Sequence, residues 1–80
     1  MHPEEITRLI EAGFDNAIVR VASDDNARFE ALVVAREFID KRPLARHQLV
    51  YQTLGGLVGN EIHALSIRAF TPDEWQQQVD

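Results

Sequence analysis

Apolar residues recur along this chain with two different periods. Ile6, Leu9 and Ile10 follow the three- and four-residue spacing of a helix face, which predicts a helix over residues 3–12. Pro3 suits its first turn, Glu4 and Glu5 sit at the positive end of its dipole, and Gly13 suits a left-handed C-terminal cap. Residues 16–22 are rich in β-branched side chains and predict a strand. Ser23-Asp24-Asp25-Asn26 is a turn cluster, and Phe29 to Val34 predicts a second strand that pairs with the first as a hairpin. Glu37 to Arg42 reads as a charged loop. After Pro43, a natural helix opener, apolar residues at 44, 50, 51, 54 and 57, with His47 among them, mark one buried face of a helix over 44–57. Gly55-Gly56 weakens its final turns and Gly59-Asn60 ends them. Ile62 to Phe70 alternates as a third strand, with His63, Leu65, Ile67 and Ala69 on one face and Ala64, Ser66 and Arg68 on the other. Thr71-Pro72-Asp73-Glu74 is a capping box for a short last helix, with Phe70 and Trp75 at the staple positions.

The resulting order, α-β-β-α-β-α, predicts an α+β fold: a three-stranded mixed sheet with helices on one face. The crossover helix makes the second and third strands parallel, with a right-handed connection. The 80 residues, without repeat, linker or low-complexity stretch, allow one domain. A chain of this length buries roughly 60% of its unfolded surface, so the core is thin.

Charge and composition narrow the function. With 13 acidic and 8 basic residues the formal net charge is −5, so nucleic acid cannot be held by bulk charge and would need a local basic patch. There is no cysteine, hence no disulfide and no thiolate nucleophile or metal ligand, in keeping with a reducing compartment. No stretch approaches the roughly 20 apolar residues of a membrane span. The acidic start Met1-His2-Pro3-Glu4-Glu5 is unlike a signal peptide, which points to a cytoplasmic protein. Ser23 lies in a turn and Ser66 in mid-strand, neither beside a base, and no phosphate-binding loop is present. The expectation is a protein that is not an enzyme.

Three histidines remain. His2 lies at the terminus. His47 sits on the expected apolar side of the main helix, as a half-buried packing residue or a binding contact. His63 opens the third strand, as a core-edge histidine or a metal ligand; one imidazole makes no metal site alone, so any metal would be shared with a partner. Arg36, Lys41, Arg42 and Arg46 hold half of all the basic residues, beside a helix N-terminus. That run is either a solvated loop or a patch for phosphate, nucleic acid or an acidic partner. Gly56-Leu57-Val58-Gly59 matches a G-x-x-G string, here read as helix capping because its middle residues are apolar.

Arg46-His47-Gln48-Leu49-Val50-Tyr51 with Leu54-Gly55 resembles the R-H-x-L-V-Y-x-x-L helix of BolA family proteins. Glu61 to Trp75, EIHALSIRAFTPDEW, resembles the family's C-terminal segment almost residue for residue. Phe38 and Lys41 fit its F-x-G-K element, and Phe29 the start of its second strand. The likeness spans roughly residues 3–75 and is nearest to short, IbaG-like bacterial members. It implies a single BolA-like domain over residues 1–80 with a class II KH-like fold. It further implies partnership with a monothiol glutaredoxin that holds a two-iron two-sulfur cluster through its own cysteine and glutathione. His63, in the I-H-A-x-S strand, would supply an imidazole to that shared cluster, none being bound by the isolated chain. Lys41, Arg42, Arg46 and His47 are the implied partner or nucleic-acid contacts. The family is also associated with transcriptional control, cell shape and stress response, so DNA binding through the helix from Pro43 is the alternative. This sequence departs from the pattern at Ala27 and Arg28, where many members carry a Cys or His, and at Asp40, which replaces the glycine of F-x-G-K.

Overall fold

The computed structural model describes residues 1–79. Helix α1 spans Pro3–Ala12, strand β1 Ile18–Ala22, strand β2 Arg28–Val34, helix α2 Pro43–Leu54, strand β3 Ala64–Phe70 and helix α3 Pro72–Val79. The sheet order is β1-β2-β3, with β1 antiparallel and β3 parallel to β2, as the hairpin and crossover require. Register sets Val19, Val33 and Ala69 in one row and Val21, Ala31 and Ile67 in the next. These inward rows meet Ile6 and Ile10 of α1 and Val50 and Leu54 of α2, with Phe29 and Phe38 fully enclosed.

Several boundaries differ from the periodicity. β1 starts at Ile18, because Asn16 takes a left-handed φ of 55° that no strand residue can hold. β3 starts at Ala64, Ile62 making only an isolated bridge to Val58. The charged segment after β2 contains a single 3₁₀ turn, Arg36–Phe38, that drives Phe38 into the core and edge-on against Phe14, ring centroids 5.3 Å apart. α2 stops at Leu54 because Gly55 adopts φ 58°, ψ −129°, closed to residues with a Cβ, and a 3₁₀ turn over Gly55–Leu57 follows. Asn60 then donates its side-chain amide to the Gly56 carbonyl at 2.7 Å, so the G-x-x-G string serves to turn the chain after α2.

The buried face of α2 is rotated from the expected one. Val50 and Leu54 are buried as predicted, but Leu44 is 70% exposed and Tyr51 also faces out. Leu49 packs against the core instead, and Arg46 and Thr53 are half-buried. At the C-terminal end the capping box forms as read: the Thr71 N–H donates to Glu74 Oε1 at 2.9 Å and the Glu74 N–H to Thr71 Oγ1 at 3.2 Å. Phe70 and Trp75 close it from outside, ring centroids 5.6 Å apart.

Candidate functional site

The residues singled out in the sequence fall at opposite ends of the sheet. His63 immediately precedes β3, whereas Arg46 contacts the carbonyl of Ala69 near that strand's other end. Six residue steps along the strand separate these points by about 20 Å. The basic run is therefore not part of the surroundings of His63.

His63 is exposed, not on the apolar face of β3, because the strand's regular pleat begins one residue later. Its backbone N–H donates to the Ala27 carbonyl at 2.9 Å, which fixes it beside the β1–β2 loop. The imidazole has no hydrogen-bond partner among the described residues. It borders an open concavity of about 630 Å³ together with Asp24, Asp25, Arg28, Glu30 and Ser66.

The loop across from His63 is organised by Asp25. Its Oδ1 accepts from the N–H groups of Arg28 at 2.9 Å and Ala27 at 3.0 Å. Those backbone donors hold the Asp25 carboxyl below the usual carboxylate range. Ser23 Oγ donates to the Arg28 carbonyl and accepts from the Asn26 N–H, and Asn26 takes a left-handed φ of 57°. The loop position nearest His63 is thus Ala27, which has no side-chain donor atom for a metal. No group of three His, Cys, Asp or Glu residues among the described residues is placed to hold a metal ion. One exposed imidazole fits a group whose remaining ligands come from another molecule, and does not fit a resident metal centre.

At the far end, Lys41 and Arg42 are exposed at the start of α2, and Arg42 is its cap residue. His47, a turn further on, is half-buried and its ring makes no hydrogen bond to the described residues. Asp40 holds φ 64°, the left-handed geometry that suits the glycine of F-x-G-K, and aspartate is among the few residues that tolerate it. Arg46, expected as a partner or nucleic-acid contact, has a side chain only 13% exposed, and its donors are engaged within the chain. Nε donates to the Lys41 carbonyl at 2.7 Å, Nη1 to the Ala69 carbonyl at 3.2 Å, and the fork grips both Glu74 oxygens at 2.6 and 3.1 Å. The Arg46 hydrogen bonds, with the Thr71 N–H, lower the Glu74 carboxyl to about 2. Arg46 therefore ties α2, the end of β3 and α3 together.

Sequence reasoning missed the outward pairing of Arg20 with Arg68. Alternation placed Arg68 on the outer face, but only strand register shows it level with Arg20.

This is a small α+β module with helices behind a mixed sheet and an exposed histidine, His63, at the sheet's rim. The chain belongs to the BolA-like family, whose model, described as BolA-like protein, matches residues 11–74. An uncharacterized protein from the rpoN-murA intergenic region of Acinetobacter guillouiae is 37% identical over 78 residues, covering 96% of this chain and 93% of its own length. A Vibrio cholerae protein named DNA-binding transcriptional regulator BolA is 40% identical over 75 residues, 94% of this chain and 67% of that protein. Among solved structures, a BolA protein homologue from Coxiella burnetii superposes with a TM-score of 0.79 at 38% identity, covering 95% of this chain and 97% of that one.

Proposed function

We propose that this chain is an adaptor that pairs with a monothiol glutaredoxin and lends His63 to a two-iron two-sulfur cluster shared with that partner, in cluster trafficking or iron and redox sensing. The observation that carries the reading is the state of His63: an exposed imidazole with no hydrogen bond to the described residues, its backbone pinned to Ala27, on the rim of an open concavity. Such a group reaches a partner without unfolding anything. Replacing a thiolate by imidazole changes the charge and redox potential of a cluster. With Ala27 and Arg28 in the adjoining loop, His63 is the ligand this chain brings, and glutaredoxin and glutathione bring the others.

The test is anaerobic mixing of the chain with a monothiol glutaredoxin under cluster-reconstituting conditions. The expected result is a heterocomplex on a sizing column and a visible circular dichroism spectrum distinct from that of the glutaredoxin alone. His63→Ala should lose the altered spectrum while keeping its own thermal unfolding curve, since the ring supports nothing in the fold. An unchanged spectrum with wild-type protein, or an altered one that survives in His63→Ala, rejects this reading.

The name of the Vibrio cholerae relative favours a second reading, DNA binding through the start of α2. Lys41 and Arg42 are free to meet phosphates there, but Arg46 is held by Glu74. A salt titration of affinity for duplex DNA decides it. Two phosphate contacts give a slope of log affinity against log salt of about −1.8, reduced toward zero in Lys41→Gln/Arg42→Gln. No binding at low salt removes the reading.

A further inference from the structure

The outer face of the sheet carries charge opposite to that of the chain as a whole. Arg20, Arg28 and Arg68 project from it against a single carboxylate among the described residues, Glu30, in a protein of net charge −5. Register places Arg20, Leu32 and Arg68 in one row across the three strands, and Ala22, Glu30 and Ser66 in the next. The ion pairs among the described residues are Arg36–Asp15 and Arg46–Glu74, so neither Arg20 nor Arg68 is paired with a carboxylate among the described residues. A trough of about 350 Å³ lies between these two arginines, with Leu32 in its floor. It shares Ala22, Glu30 and Ser66 with the concavity beside His63.

We infer that this trough docks an extended, acidic segment of a partner protein, with the carboxylates of alternate residues on Arg20 and Arg68 and the peptide backbone between them lying over Leu32. The spacing suits it. Two strands apart, the arginine Cα atoms are separated by roughly 9.6 Å, while alternate residues of an extended peptide are about 6.7 Å apart, a difference that two long guanidinium arms absorb. The fork geometry of arginine matches carboxylates. The floor also favours a peptide over a nucleic acid strand. Glu30 can accept from peptide N–H groups, donors that a phosphodiester backbone lacks, and the Ser66 hydroxyl can donate to a peptide carbonyl. The Phe70 ring that would stack a base is engaged by the Arg68 guanidinium, 5.5 Å from its centroid, and by Trp75. The inference stands apart from the ligand role of His63.

The experiment is an amide NMR titration of the full chain at low salt with three probes: a synthetic peptide of alternating Glu and Leu, its Gln-Leu counterpart, and oligothymidylate. The Glu-Leu peptide should move the amides of Arg20, Leu32, Ser66 and Arg68. Arg20→Gln/Arg68→Gln should bind it about tenfold more weakly or worse with an otherwise unchanged spectrum, because both side chains are exposed. Arg20→Lys/Arg68→Lys should recover part of the loss. Equal binding of the Gln-Leu peptide, a stronger response of these amides to oligothymidylate, or no response at them overturns the inference.

Discussion

Arg46→Ala is expected to lower the stability of this protein by about 3 kcal/mol and its melting temperature by roughly 15 °C. The loss has three sources. The guanidinium donates to the exposed carbonyl of Lys41 and the part-buried carbonyl of Ala69. It holds Glu74 through a two-pronged ion pair, and Glu74 in turn caps α3 through Thr71. Its stem packs within reach of the Phe38 ring, the guanidinium carbon lying 6.0 Å from the centroid. Lysine keeps the charge but not the fork, so Arg46→Lys should recover less than half of the loss. Denaturant unfolding of the three proteins measures this, and an Arg46→Ala protein that melts with wild type would refute the assignment.

The same contact makes a pH prediction with a definite sign. The Glu74 carboxyl is lowered from 4.5 to about 2 in the folded protein. A depressed carboxylate contributes stability that is complete above its unfolded value and is lost as pH falls through the folded one. Stability should therefore decline as pH falls from about 4.5 toward 2, and this part of the decline should flatten in Glu74→Gln and in Arg46→Ala. Urea midpoints across that range show the effect.

Gly13→Ala is expected to destabilise by about 2 kcal/mol, although alanine is ordinarily the better residue at this backbone geometry, φ −92°, ψ −4°. A Cβ at position 13 would lie 2.3 Å from Thr53 Cγ2 and 3.2 Å from Thr53 Cβ. Thr53 cannot rotate away without loss, because its hydroxyl donates to the Val50 carbonyl at 2.6 Å. Removing the obstructing methyl group tests the cause. Gly13→Ala/Thr53→Ser should return to wild-type stability or exceed it, giving a favourable coupling in a double-mutant cycle. An additive cycle would place the cost elsewhere.

Gly13 and Arg46 also show where sequence reasoning stops. A glycine after a helical stripe suggests a left-handed cap, yet Gly13 is right-handed and is needed for the approach of α1 to α2, a distance no local pattern encodes. Arg46 reads as one cation in a basic run, and nothing nearby in sequence reveals that Glu74, 28 residues on, will face it. The expected face of α2 was rotated for a related reason: Leu44 and Tyr51 satisfy helical spacing, but the sheet's position decides which stripe is covered.

By itself the sequence determined the element order, the hairpin, the parallel crossover and the capping box at Thr71, because each rests on contacts within a few residues or on a repeat of two or three to four. It also singled out His63 and the absence of any cysteine to join it. Only the tertiary structure decided that His63 stands about 20 Å from the basic run, that Arg46 is an internal tie, and that Arg20 and Arg68 share a row. Those relations depend on register and packing between distant segments, where burial and hydrogen-bond satisfaction over the whole fold select the partner.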